Sequence, residues 1–408
     1  MLPIKRNNTK IMEILFISHK YPPVIGGMEK HSFELLSRLK KQHTVHTLLY
    51  DNQEGRFTFF RSLKTRVRAI LQTHPSTEMV YINDGLLACF MTWLKKETKI
   101  PLVATVHGLD VVHPNAFYQH FIKKNLAKLD AIIAVSQATA NACLIRGIAK
   151  NKVFVVKNGV DHDLADIPIE KDFLLKFEEK YQLPLKGKRI LVTMGRPVKR
   201  KGFSWFVKEV VPHLEEDILL LMIGPKKGQL PSYWKYLPRF IQRQLALAMG
   251  ISTDETALTE VLQQPNIQDK AIQVGKLPFS EVLQLLSAAH LFVMPNISIA
   301  GDMEGFGLVA LEAAIRETPV LAAGIEGITD AIIDGKNGHL LPSKNAEAWI
   351  DTIHLLLDHP TALKAWSTKA KQFTIANYSW GLMIKGYEAV FEQFDKRVAF
   401  NNKKMIVL

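Results

Sequence analysis

"EEKYQLPLKGKRILVTMG", Glu178 to Gly195, decides the fold. Its first twelve residues are polar and punctuated by Pro and Gly, as a connection is, and its last six are a short apolar run closed by a glycine, as a buried strand is. The chain beyond this stretch repeats the pattern that precedes it. Upstream, "EILFIS" (Glu13 to Ser18), "HTVHTLLY" (His43 to Tyr50), "MVYIND" (Met79 to Asp84), "LVATVHG" (Leu102 to Gly108), "AIIAVS" (Ala131 to Ser136) and "VFVVKNG" (Val153 to Gly159) read as strands. Helical spacing lies between them, over Glu29 to Lys40 and Gln137 to Arg146. Downstream the series restarts with "ILVTMG" (Ile190 to Gly195), "ILLLMIG" (Ile218 to Gly224), "AIQVG" (Ala271 to Gly275), "LFVMP" (Leu291 to Pro295) and "PVLAAG" (Pro319 to Gly324). Strands alternating with helices indicate a parallel sheet covered on both faces. The prediction is an α/β chain of two doubly wound, Rossmann-like domains, 1–185 and 186–378, facing each other across a cleft. Ligands of such sheets bind beyond the carboxyl ends of the strands. The last stretch, 379–408, has Trp380, Met383, Tyr387, Val390 and Phe394 at helical spacing and reads as a closing helix that packs back on the body.

Composition bounds the function. A chain of 408 residues exceeds one core, and 47% hydrophobic with 22% charged residues is the balance of a soluble globular protein. Two cysteines, Cys89 and Cys143, make neither a disulfide framework nor a metal site and fit a reducing, cytoplasmic compartment. No apolar run reaches the roughly eighteen residues of a membrane span, and "MLPIKRNNTK" lacks the apolar core of a secretory signal. The expectation is a protein neither exported nor membrane-spanning. A net charge of +13 predicts attraction to polyanions: nucleic acid, acidic lipid or phosphorylated substrates. In "FTFFRSLKTRVRAIL", apolar Phe60, Leu63, Val67 and Ile70 lie beside Arg61, Lys64, Arg66 and Arg68, a helix suited either to an anionic membrane surface or to a core. The connection Pro225 to Lys270 is long, and its "YWKYLPRFIQRQLALAMG" reads as one or two added helices. Its Tyr233, Trp234, Lys235, Tyr236, Arg239 and Phe240 suit a carbohydrate or lipid-phosphate contact.

Three strand-end loops carry the chemistry. After the first strand, Gly26 and Gly27 stand directly before a helix, where bare amides and a helix start can meet an anion, although the G-x-G-x-x-G spacing of a dinucleotide site is absent. "MGRPVKRKGFSWF" offers Arg196, Lys199, Arg200 and Lys201 and then Gly202, donors suited to a diphosphate. "GDMEGFGLVALEA", Gly301 to Ala313, sets Glu304 and Glu312 around Gly305, Phe306 and Gly307, ahead of a helix from about Leu308 to Arg316. Carboxylates accept paired hydrogen bonds from vicinal hydroxyls, so cationic loops with such acids describe a nucleotide-sugar site.

The order G-G, then G-R-x4-K-G, then E-G-F-G-x4-E resembles the retaining family 4 glycosyltransferases of the GT-B fold, over nearly the whole chain. "NGVD" (Asn158 to Asp161), "DGKNGHLLP" (Asp334 to Pro342) and "YSW" (Tyr378 to Trp380) are similar to that family as well. The resemblance implies that Arg196 and Lys201 hold the donor diphosphate, with Gly27 behind it, and that Glu312 binds the ribose. It implies that Glu304 contacts the transferred sugar, and that the amides of Phe306, Gly307 and Leu308 reach sugar and phosphate oxygens. Gly275 and Lys276 would edge the base, and His107, closing "LVATVHG", would face the donor sugar. Some relatives carry an acid directly after that histidine, where this chain has Gly108 and reaches Asp110 only later. The implied reaction moves a sugar from a UDP- or GDP-sugar to a carbohydrate or lipid-linked acceptor hydroxyl with retention, by same-face displacement. No cofactor or metal is expected, since no D-x-D segment is present, and no nucleic-acid partner. A sugar-nucleotide epimerase or phosphorylase of similar fold, or a non-enzymatic polyanion binder, are the alternatives.

Overall fold

The computed structural model describes residues 11–24, 26–226, 237–238 and 254–394. Two units divide it: one of 1–112, 116–158 and the stretch from Trp380 onward, the other of 113–115 and 159–379.

The first unit is built on a six-stranded parallel sheet ordered β2-β1-β3-β4-β5-β6, with β1 Glu13–Ser18, β2 Thr44–Leu49, β3 Met79–Ile82, β4 Leu102–Val106, β5 Ala131–Ala134 and β6 Val153–Val155. Every residue of β3, β4 and β5 is buried, so these strands are continuous apolar runs rather than alternating ones. Three helices matter here: α1 (Gly27–Gln42), α2 (Arg56–Thr73) and α3 (Gly85–Met91). In α2 the buried stripe is Phe59, Leu63 and Val67, so the apolar side of this basic helix lies in the core, while Arg66 pairs with Glu54, and Arg68 and Lys64 with Glu97. Among the described residues no helix is long and apolar enough to cross a membrane.

The second unit repeats the scheme in the order β12-β11-β10-β7-β8-β9. Its strands are β7 Arg189–Met194, β8 Ile218–Ile223, β9 Ala271–Gly275, β10 Leu291–Met294, β11 Val320–Ala323 and β12 His339–Leu341. Alternate residues of each strand feed two apolar layers. Leu191, Val293 and Leu321 face one layer with Phe206 and Trp349, and Val192, Phe292 and Ala322 face the other with Phe177 and Leu285.

Two sequence expectations shift and one holds. The units part after Asn158 rather than near Lys186, because Phe173, Phe177, Leu183 and Leu185 pack in the same layer as Ile190 and Phe292. The closing stretch packs back on the body as expected. Its helix Trp380–Phe391 joins the first unit, with Tyr387 and Phe391 against Tyr81 and Gly386 against Val156. The short β12 hides in "DGKNGHLLP", where three half-buried residues give no apolar run. The aromatic and basic stretch Tyr233 to Gly250 lies almost wholly outside the described residues; helix Glu255–Leu262 is the described helix of that connection.

Candidate functional site

Strand order reverses in the second unit between β7 and β10, which are neighbours in the sheet while their successors run outward in opposite directions. Loops beyond such a reversal leave a crevice. The loop after β7 turns through Gly195 to the 3-10 turn Lys199–Lys201 and then Gly202, at φ +68. A Cβ at Gly202 would lie on the carbonyl oxygen of Pro295, which follows β10, so only glycine lets the two loops close together. That approach brings Lys201 to Glu304.

Lys201 Nζ is 2.8 Å from Glu304 Oε2, and Arg200 Nε is 3.4 Å from the same oxygen. Arg200 also lies 3.5 Å from Asp302, and Asn296 Nδ2 donates to Glu304 Oε2 at 3.2 Å. The backbone of Glu304 is clamped as well. Its N–H donates to Glu326 Oε2 at 2.6 Å, and its carbonyl accepts from Gly327 N–H at 3.1 Å. Glu326 sits at φ +52, an uncommon conformation for a residue with a side chain, held here by that pairing. Burial alone would raise the Glu304 carboxyl; Lys201 and Arg200 outweigh it and hold the group at about 2. Burial, with Glu304 and Asp302 nearby, pushes Glu326 up to about 7. Burial also lowers Lys201, against the pull of Glu304. Arg200 is raised: burial works against its charge, and Glu304 and Asp302 restore it.

The other second-unit candidates frame this cluster. Arg196 is exposed and close enough to act on Lys201 electrostatically. Phe306 is buried edge-on to Tyr378, and Gly307, at φ +98, begins the helix Leu308–Ile315, within which Glu312 is buried. Gly305 lies so close to Gly327 that a Cβ on the latter would strike the Gly305 carbonyl. Gly275 ends β9 at φ +106, its carbonyl accepting from Gly224 N–H at 3.0 Å, and Lys276 is exposed beside it. Gly26, Gly27 and His107 belong to the first unit; Gly26 precedes α1 and Gly27 opens it. Sequence reasoning does not single out Asn296 or Glu326. The available signal is position alone, since each stands just beyond an apolar strand. Asp302 and Glu304 are both engaged by Arg200.

Solved structures share this architecture. The chain matches Anabaena HepE in complex with UDP-glucose at TM-score 0.72 and 16% identity, covering 94% of this chain and 100% of that one. It matches sucrose-phosphate synthase from Thermosynechococcus elongatus at 0.71 and 19%, covering 94% and 98%. Two Rossmann-like units of this kind are the GT-B fold. Residues 176–373 match the model of the group 1 glycosyl transferases and residues 25–164 that of Glycosyltransferase Family 4; the two matches support a group 1 glycosyltransferase family. Curated relatives agree. An uncharacterized glycosyltransferase of Methanocaldococcus jannaschii is 24% identical over 94% of this chain and 99% of its own length. The capsular polysaccharide biosynthesis glycosyltransferase CapM of Staphylococcus aureus is 22% identical over 95% and 98%.

Proposed function

We propose that the chain is a retaining hexosyltransferase that moves a sugar from a nucleoside-diphosphate sugar to an acceptor hydroxyl in cell-surface polysaccharide or glycolipid synthesis. The observation that carries this reading is the buried Lys201–Glu304 pair at the β7/β10 reversal, with Arg200 and Arg196 beside it. A cation that already has a carboxylate partner can turn toward a diphosphate, and the carboxylate is then left to accept from sugar hydroxyls. The UDP complexes of HepE support a UDP-type donor, and the likeness to CapM supports a polysaccharide role.

In this scheme the bond from the anomeric carbon to the diphosphate breaks while the acceptor oxygen bonds to that carbon on the same face. The acceptor proton passes to the departing phosphate oxygen. Arg196 and Lys201 stabilise the charge that grows on the leaving group, so the protein acts by positioning and electrostatics. Glu312 holds the ribose and Glu304 the transferred sugar, and no metal is needed. A peripheral, cytoplasmic seat on an anionic membrane surface is part of the proposal. Its support is the net charge of +13 and the exposed Arg61 of α2, an electrostatic attraction rather than an inserted apolar face.

Two variants test the assignment. Glu312→Ala is expected to weaken both UDP and UDP-sugar binding by about 1.5–3 kcal/mol, roughly ten- to a hundredfold. Glu304→Ala is expected to keep UDP affinity while losing most transfer. Calorimetry and initial rates check both, and normal transfer by both variants would overturn the proposal.

A further inference from the structure

At the amino end of the first unit's sheet, away from the loops that follow its strands, Glu13, His46 and His74 come together. One ligand atom from each lies within 4.8 Å of the others. Glu13 opens β1, and the register sets it beside Thr44 of β2 and Leu15 beside His46. Residues two apart on a strand share a face, so Glu13 and His46 are diagonal neighbours on one side of the sheet. His46 Nε2 is 3.0 Å from Glu13 Oε1. His74 arrives from the turn after α2 and stacks on His46, with ring centroids 3.5 Å apart and planes at 18°.

That turn is built to hold its place. Pro75 follows His74 and ends the helix, whose last bond runs from His74 N–H to the Ile70 carbonyl at 2.9 Å. The His74 carbonyl accepts from Thr77 N–H at 3.2 Å and from Thr77 Oγ1 at 2.8 Å. Glu78 N–H then donates to the Glu13 carbonyl at 2.8 Å, and Glu13 N–H donates to Glu78 Oε2 at 3.3 Å, which ties the turn to β1. Ser76 Oγ donates to Glu13 Oε2 at 2.6 Å. The far oxygen of the carboxylate is thereby taken, and Oε1 is left to the imidazoles.

Two imidazoles and one carboxylate supply two neutral nitrogen donors and one negative charge, a set that suits zinc, whereas magnesium and calcium call for oxygen ligands. The Ser76 hydroxyl, and then His46 and His74, hold the Glu13 carboxyl below its ordinary value against burial, so it is ionised at neutral pH. Zinc–ligand bonds of about 2.0–2.1 Å place neighbouring ligand atoms of a tetrahedron roughly 3.3 Å apart. The 3.0 Å between His46 and Glu13 is already near that edge. An imidazole binds along the lone pair in its ring plane, so closure requires the His74 ring to turn off the stack, and a residue of a turn is free to do so. The Glu13 and His46 side chains are each 20% exposed, enough for an ion and a water to reach them. A plain His–Glu hydrogen bond accounts for His46 alone. It gives no reason for a second imidazole on the same spot or for a hydroxyl that fixes the far oxygen.

We propose that Glu13, His46 and His74 form a zinc site with water as the fourth ligand, in which Ser76 orients the carboxylate and the metal pins the turn after α2 to β1 and β2. Ligating carboxylates are themselves hydrogen-bonded in such sites, the part Ser76 plays here. The site is independent of the glycosyl-transfer reading and stands or falls apart from it.

The test uses the full chain without a polyhistidine tag, stripped with EDTA and titrated with zinc chloride in a calorimeter. One zinc ion per chain is expected, with movement of the His46 and His74 ring resonances in 15N-histidine NMR. Ser76→Ala is expected to weaken zinc by about ten- to a hundredfold, and His74→Ala and Glu13→Gln by more than that. Zinc is also expected to raise the thermal transition of the wild type and leave that of His74→Ala unmoved. A metal-free transition of each variant that matches the metal-free wild type shows that the fold is intact, and Ser76→Ala carries the test if a ligand variant fails this check. Absence of stoichiometric zinc, equal zinc affinity in all three variants, or binding of magnesium or calcium in place of zinc overturns the site.

Discussion

Replacing Glu304 by glutamine keeps the shape of the side chain and removes its charge, leaving Lys201 and Arg200 buried beside an amide. A carboxyl group ordinarily near 4.5 and held at about 2 corresponds to about 3 kcal/mol of favourable interaction at neutral pH. An independent route gives the same size, since removing one partner of a buried ion pair costs about 3–5 kcal/mol. The folded value is depressed, so this stability is fully present above pH 4.5 and is lost as pH falls through about 2. Glu304→Gln is therefore expected to lower the unfolding free energy of the second unit by about 3 kcal/mol at pH 7, roughly 6–12 °C in its calorimetric transition. The gap between variant and wild type should stay level from neutral pH down to pH 5 and close below pH 4.5. Equal transitions at pH 7, or a gap that ignores pH, would refute the reasoning: the first would mean Lys201 sheds its proton or reaches solvent without cost, the second that the loss is steric.

Three further outcomes are expected from other parts of the chain. Gly202→Ala is expected to cost about 2 kcal/mol or more in urea unfolding, from the left-handed backbone and from the clash with the Pro295 carbonyl, and to weaken UDP binding by displacing Lys201. Burial raises the thiols of Cys89 and Cys143, the latter to about 12, so neither is expected to react with Ellman's reagent in the native protein at pH 8, and both should react in urea. Because Phe59, Leu63 and Val67 of α2 are in the core, sedimentation with anionic vesicles is expected at low salt and to vanish at about 0.5 M salt, where surface charge is screened; retention at high salt would point to an inserted apolar surface.

Strands are legible in the sequence where both faces of the sheet are covered. Residues Met79–Ile82 and Ala131–Ala134 are apolar throughout because every position is buried. His339–Leu341 is only half-buried and leaves no such trace. The unit boundary is hidden for a related reason: the segment before Arg189 looks like a connection from its charges, yet Phe173 and Phe177, one helical turn apart, seal it to the second unit. In the candidate site, glycines beside acids and bases single out Lys201, Glu304 and Glu312 as candidates. That Lys201 and Glu304 hold each other is not legible, because their meeting depends on β7 and β10 being neighbours, a property of sheet order rather than of either motif. Glu326 and Asn296 are silent because one side chain beyond a strand end carries no pattern until the neighbouring loop is placed beside it.

Each sheet has one reversal of strand order, between β7 and β10 in the second unit and between β1 and β3 in the first. Within a run of successive right-handed crossovers, the loop leaving one strand leads into a helix that crosses over its neighbour's end and closes it off. At a reversal the two adjacent strands send their chains to opposite faces, so both loops stay open between them. In the second unit those loops carry Lys201 and Glu304; in the first they carry His19 and Asp84. The contents differ in charge. Buried cations paired with a carboxylate suit an anion that arrives and leaves.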